Sequence, residues 1–140
     1  LTEQKVVVDS SAVLAWLLGE PGRETVEKLL PVAIAPASVI VEVIYRAGER
    51  GLKTPPERIY EDLLNMGLVV EPFLASDALR AAELIANSRR QAKKSKTDRS
   101  LSLGDGLCIA VAERLELPVT GGDTHWEECD LTVEYFPFRA

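Results

Sequence analysis

The chain alternates short apolar runs with longer segments of helical spacing. "KVVVDSS", residues 5 to 11, sets three valines before Asp9 and two serines. A β-branched run that ends at polar residues reads as a short strand buried on both faces. Ala12 to Leu18 reads as a buried helix, and "GEPG" at 19 to 22 as a turn. Val26, Leu29 and Leu30 have helical spacing, and "PVAIAP" at 31 to 36 is a strand bounded by prolines. Ile59, Leu63 and Leu64 mark a helix after Pro55 and Pro56, and "LVVEPF" from 68 is another strand. Residues 76 to about 90 read as a helix with Ala78, Ala81, Ala82 and Ile85 on one face. Leu107, Cys108, Val111 and Leu115 mark a further helix, and "LPVT" (117–120) and "LTVEYF" (131–136) the last strands.

"SVIVEVIYRA", residues 38 to 47, fits two patterns. Its β-branched residues favour a strand. Pro36 and the length to Glu49 favour a helix beginning just after the proline. Periodicity leaves both open. The rest alternates strand and helix, which predicts an α/β layer fold with a mostly parallel sheet. With 140 residues and no repeat, linker or shift of composition, one domain over 1–140 is expected. In such sheets ligands bind beyond the carboxyl ends of the strands. Asp9 and Asp123 each follow a strand at that edge.

Apolar residues make up 46 % and charged residues 27 % of the chain, which is ordinary for a globular protein. No apolar run approaches the roughly 18 residues of a membrane span. "LTEQK" does not open a signal peptide. A soluble, cytoplasmic protein with no membrane partner is the expectation. Cys108 and Cys129 read as two reduced thiols, with Cys108 packed in a helix. A single histidine, His125, leaves little material for a zinc site or a Ser-His-Asp triad. Hydrolytic chemistry here would rest on carboxylates. The net charge is −6, yet "RRQAKKSKTDR" at 89 to 99 carries six Lys/Arg against one Asp, a local +5 on an acidic body.

Each carboxylate has a plain structural reading beside a functional one. Asp9 can cap the following helix, although Ser10 or Ser11 can do the same. Glu42 lies in "VIVEVIY" with three apolar residues on each side. A charge so placed is rarely buried without a partner or a metal, and few polar neighbours share its face. Ser102 and Asp105 fit a capping box before an apolar run. Asp123 follows Gly121 and Gly122, which turn chemistry explains. His125 reads as a surface or turn residue and Trp126 as packing. If the four acids converge, their repulsion calls for proton uptake or a divalent cation. Carboxylate-only sites suit Mg²⁺ or Mn²⁺.

"VVVDSSAVLAWLLGEPG" resembles the opening of PIN-domain ribonucleases, in particular the VapC-type toxins of toxin–antitoxin pairs. "APASVIVEVIYRAGERG" resembles their second block, and "LSLGDGLCIAVAERLELPVTGGD" their third and fourth. The similarity spans nearly the whole chain in the family's order. It implies a three-layer α/β/α sandwich in which 38–47 is helical. It also implies Mg²⁺- or Mn²⁺-dependent cleavage of RNA, a homodimer, and silencing by an antitoxin protein. Asp9, Glu42 and Asp105 map onto the family's catalytic, metal-holding carboxylates, and Ser11 onto a hydroxyl that supports the first Asp. Asp123 maps less closely, because two glycines precede it where the family commonly has one small residue.

Under this reading Arg89, Arg90, Lys93, Lys94, Lys96 and Arg99 supply phosphate contacts that an acidic pocket lacks. A solvated loop is the plain alternative for that stretch. For the whole chain the alternative is a non-catalytic PIN-like module that binds RNA or protein, favoured by the doubled glycine. A phosphoacceptor receiver domain expects an acidic pair near the N-terminus and a late lysine, and "VVVDSS" and "LPVTGGD" lack both.

Overall fold

The computed structural model describes residues 4–139. Five short strands form one sheet: β1 Val6–Val8, β2 Ala33–Pro36, β3 Val69–Glu71, β4 Val119–Gly121 and β5 Tyr135–Pro137. Their order is β3-β2-β1-β4-β5, and every neighbouring pair is parallel. Helices cover both sides, as a parallel sheet requires. The helices are α1 Ser10–Leu18, α2 Arg23–Leu29, α3 Ala37–Glu49, α4 Pro56–Asn65, α5 Ala75–Lys94 and α6 Leu103–Leu115. Single 3₁₀ turns occupy Leu30–Val32 and Thr124–Glu128. The α/β sandwich with a parallel sheet is as the sequence predicts. No helix among the described residues is long and apolar enough to cross a membrane.

The topology fixes where chemistry can sit. From β1 the chain moves outward through β2 to β3, then returns past β1 to β4. The reversal opens a crevice at the carboxyl ends of β1 and β4. β1 enters α1 with only Asp9 between them. Consecutive residues Ala12 to Ala15 of α1 are all buried, so the helix is apolar on every side. Gly19, at φ +69°, ends it in the left-handed conformation that other residues adopt only at a cost. α6 is enclosed in the same way from Cys108 to Ala112. The expected packing of Cys108 holds, and both cysteines are free thiols. Trp126 is buried against Tyr135, with ring centroids 5.3 Å apart.

Two expectations need correction. The inward face of α5 is not Ala78, Ala81, Ala82 and Ile85. It is Asp77, Ala81, Leu84, Ser88 and Ala92, while Ala78 and Ala82 are exposed. Alanine is too weakly apolar to mark a face, and two polar residues on the true face have internal partners. Ser88 Oγ accepts from Leu101 N at 2.8 Å. Asp77 Oδ2 accepts from Leu74 N at 2.9 Å and closes the start of α5. The second correction concerns the end of that helix. It runs to Lys94 rather than to about 90, so Arg89 to Lys94 stand on its last turns.

Asp77 is 3 % exposed and receives Arg114 Nε at 2.9 and 3.2 Å on its two oxygens. Arg114 also reaches Glu71 at 3.2 Å, which ties α5 and α6 to the end of β3. Arg114→Leu leaves a buried carboxylate with only its backbone donor. The expected loss is about 2 kcal/mol in urea unfolding; a loss under about 0.5 kcal/mol would show that solvent replaces the guanidinium.

Candidate metal centre

Asp9 is where the crevice is built. Its backbone N–H donates to Thr120 O at 3.1 Å and extends the β1–β4 ladder by one step. The chain then turns into α1, and Asp9 Oδ1 caps that helix by accepting from Ala12 N at 3.0 Å. Ser11 Oγ donates to the same oxygen at 2.7 Å. Ser11 Oγ in turn accepts from Gly122 N at 2.9 Å. Capping thus falls to Asp9 and not to a serine, while Ser11 bridges the ends of β1 and β4. The division of labour is between the two oxygens of one carboxylate. Among the described residues Oδ2 has no hydrogen-bond donor and lies against Gly121.

Space explains Gly121, whereas beside Gly122 only the movable end of Arg139 approaches. Neither Gly121 nor Gly122 has positive φ, so turn chemistry is not what demands them. A Cβ on Gly121 would lie 2.6 Å from Asp9 Oδ2, and one on Gly122 would lie 2.5 Å from the Arg139 guanidinium. Gly121 is the last residue of β4 and gives the Asp9 carboxylate its room. Gly122 presents the N–H that holds Ser11.

Glu42 sits on α3, six residues into a helix that starts directly after β2. The open choice over residues 38–47 is therefore resolved as helix. Its side chain is about a quarter exposed and pairs with Arg46 at 3.3 Å. Helical spacing places Arg46 one turn on and Ser38 one turn back on the same face. The expectation that Glu42 lacks polar neighbours is corrected by those two residues. Ser38 Oγ is buried without a partner. Glu42's carboxylate also packs on Gly104, where a Cβ would meet Oε1 at 2.5 Å.

Asp105 stands in the first turn of α6 in the capping box that its spacing predicts. Its Oδ2 accepts from Ser102 N at 2.9 Å, and Ser102 Oγ accepts from Asp105 N at 3.1 Å. Asp123 is set apart. It is half exposed, caps the turn Thr124–Glu128 through His125 N at 2.8 Å, and faces Arg99 at 3.4 Å. His125 does lie in a turn, but its side chain is largely buried beside Ser88 and Cys129.

Electrostatics joins these groups. Burial pushes the Asp9 carboxyl up to about 7, against the hydrogen bonds from Ser11 and Ala12, with the charges of Asp105 and Glu42 adding to the rise. Burial likewise raises Glu42, where Arg46 opposes and Asp105 adds. Asp105 is raised by burial, opposed by its bonds to Ser102, and raised further by Asp123. Asp9, Glu42 and Asp105 thus form one group, with Asp123 at its edge. Ser10, whose hydroxyl favours the charged form of Glu42, and Arg46 are parts of the site that sequence reading passed over. Their positions, beside Asp9 and four residues after Glu42, were the available signals.

Among the described residues no group of three His, Cys, Asp or Glu side chains is placed to hold a metal ion. The donor chemistry nevertheless suits a hard divalent ion. Such an ion keeps several waters and needs only one or two direct carboxylates. The unpartnered Asp9 Oδ2 and the mutual repulsion of three acids meet that description.

The family model of the PIN domain matches residues 6–130. The chain belongs to the PIN domain family. Its fold is that of VapC toxins. VapC20 of Mycobacterium tuberculosis, described as a Sarcin-Ricin loop cleaving toxin, superposes with TM-score 0.71 at 17 % identity, covering 91 % of this chain and 97 % of that one. VapBC2 of Rickettsia felis, bound to a DNA fragment from its promoter, gives 0.71 at 12 % identity, with 96 % and 98 % covered. A toxin–antitoxin complex from Klebsiella pneumoniae gives 0.61 at 18 % identity, with 86 % and 88 % covered. None of the curated proteins matches the sequence.

The raised acids set the sign of a pH effect. Asp9 titrates near 3.8 when unfolded and near 7 when folded. Between these values the folded state holds the extra proton, so metal-free stability falls as pH rises through that window. Thermal unfolding from pH 4 to 8 in EDTA should show a falling midpoint. Asp9→Asn, which keeps the Oδ1 acceptor, should flatten the fall; a profile that rises instead would contradict the buried, mutually repelling acids.

Proposed function

We propose that this PIN domain is a Mg²⁺- or Mn²⁺-dependent endoribonuclease, the toxin of a toxin–antitoxin pair. One observation carries the reading: Asp9, buried with Oδ2 free, shares the crevice at the β1–β4 reversal with Glu42 and Asp105. A structural cap would not need two further acids raising its pKa. Asp9, Glu42 and Asp105 would hold the ion, one or two of them directly and the rest through its waters, with Asp123 at the edge. When bound, the ion supplies neutralising charge and an activated water for attack on a phosphodiester.

The chain's own residues prepare that step. Ser11 and Ala12 N fix the Asp9 carboxylate so that only Oδ2 turns to the ligand. Ser102 fixes Asp105 in the same manner. Arg46 and Arg99 offset the acids on two sides and stand where a phosphate backbone can meet them. One of the carboxylates orients the attacking water. The other basic residues after Asn87 add phosphate contacts. A proteinaceous antitoxin as partner agrees with the fold's likeness to a chain from a toxin–antitoxin complex. Homodimerisation, a single domain over 1–140 and a cytoplasmic site of action belong to the same proposal. Gly121 gives the Asp9 carboxylate its room, so the first of the two glycines does not favour a non-catalytic module.

The test is cleavage of single-stranded RNA by the purified protein in Mg²⁺ or Mn²⁺ against EDTA. Asp9→Asn should lower the rate by at least ~100-fold, more than loss of an outer partner costs. Full activity of that variant, or equal activity in EDTA, would overturn the assignment.

A further inference from the structure

A cleft of about 800 Å³ runs between the C-terminal half of α5, the link that follows it and the turn Thr124–Glu128. That volume lies within the range of small-ligand pockets and far exceeds an ion's need. α5 contributes Asn87, Arg90, Gln91 and Lys94, the link contributes Arg99, and the turn contributes His125. The four α5 positions are three, four and seven residues apart, so they share one helix face. Arg89, Lys93 and Lys96 do not line the cleft. The basic stretch is thereby divided into two sets of three.

Three features make the cleft a prepared surface. Ser88 Oγ, buried beneath it, accepts from Leu101 N at 2.8 Å and lies 3.5 Å from His125 Nε2, which fixes the link and the ring together. Arg99 joins the cleft to the acidic crevice, with Nη2 3.4 Å from Asp123 Oδ1 and 3.5 Å from Thr124 Oγ1. At the other end Arg80 is already held by Glu83 and Glu113. Arg90, Lys94 and Arg99 remain; Arg90 is bonded to Asn87 Oδ1, and the cleft also carries Glu128 and Asp130 on the side of the turn. On the same face of α5 stand two amides, Asn87 and Gln91, groups suited to hydrogen bonding base edges. No Phe, Tyr or Trp lines the cleft.

We propose that this cleft is a specificity subsite for a single-stranded nucleotide flanking the cut phosphodiester. Its phosphates lie on Arg90, Lys94 and Arg99, and its base edge meets the amides of Asn87 and Gln91. Without an aromatic platform, selection comes from hydrogen bonds rather than from stacking, which tolerates every base. The inference rests on the ribonuclease reading above.

The experiment has three arms. Binding of labelled oligo-U and oligo-A decamers is followed by anisotropy in EDTA over a salt series. Arg90→Ala/Lys94→Ala/Arg99→Ala should reduce the slope of log affinity against log salt by about 2, since each lost phosphate contact removes about 0.7. Arg89→Ala/Lys93→Ala/Lys96→Ala, with the same charge change, should reduce it by less than half as much. Asn87→Ala/Gln91→Ala should leave the slope intact and broaden the cut sequences recovered from a randomised RNA pool in Mn²⁺. Equal slopes for the two triple variants, or an unaltered cut sequence in the double variant, overturn the subsite while wild-type cleavage leaves the nuclease reading standing. No cleavage by the wild-type protein in either metal removes both.

Discussion

Burial of carboxylates at the sheet's reversal, with their mutual repulsion as a smaller addition, is the constraint around which this site is arranged. Asp9 is buried between two apolar elements, and Glu42 and Asp105 are close enough to raise its pKa further. Each neighbouring feature limits or uses that repulsion. Ser11 and the first turn of α1 hold one oxygen of Asp9, and Gly121 makes room for the other. Arg46 and Arg99 stand as counter-charges at opposite edges. A fold with a free choice of residues would not keep three acids there, since buried charge without a partner is costly. Under the proposed function, a divalent cation would offset the charge that Arg46 and Arg99 leave.

The parallel topology explains why the acids meet although 96 residues separate Asp9 from Asp105 in the chain. Every strand points its carboxyl end to the same edge, so each following loop or helix start opens there. The reversal between β1 and β4 keeps one gap free of a crossing connection. The cleft beside α5 adjoins that gap through Arg99. The acidic crevice and the basic cleft thus sit side by side, and among the described residues the Asp123–Arg99 pair spans their border.

Much of this was legible in the residues. Val6 to Val8 and the prolines around 31–36 announce their strands, and Ser102 with Asp105 announces its cap. The family likeness placed the acids in order and turned residues 38–47 into a helix. What stayed hidden depended on three-dimensional neighbours. A capping aspartate looks the same whether its second oxygen is free or engaged. Two glycines before Asp123 look like a turn until the Asp9 carboxylate is seen against Gly121. The polar face of α5 misled because Asp77 and Ser88 are satisfied by Arg114, Leu74 and Leu101, none of which local periodicity reveals. Arg46 beside Glu42 was visible in the spacing and needed only the helical register.

Burial gives Asp9 a proton in the metal-free protein, and under the proposed function a metal would displace it. Calorimetric titration with Mn²⁺ at pH 6.5, in two buffers of different ionisation enthalpy, reads this directly, since a carboxylate must lose its proton to become a ligand. The expected result is release of more than half a proton per ion, absent in Asp9→Asn. Binding with no proton release by the wild-type protein, or identical release by the variant, would contradict the account.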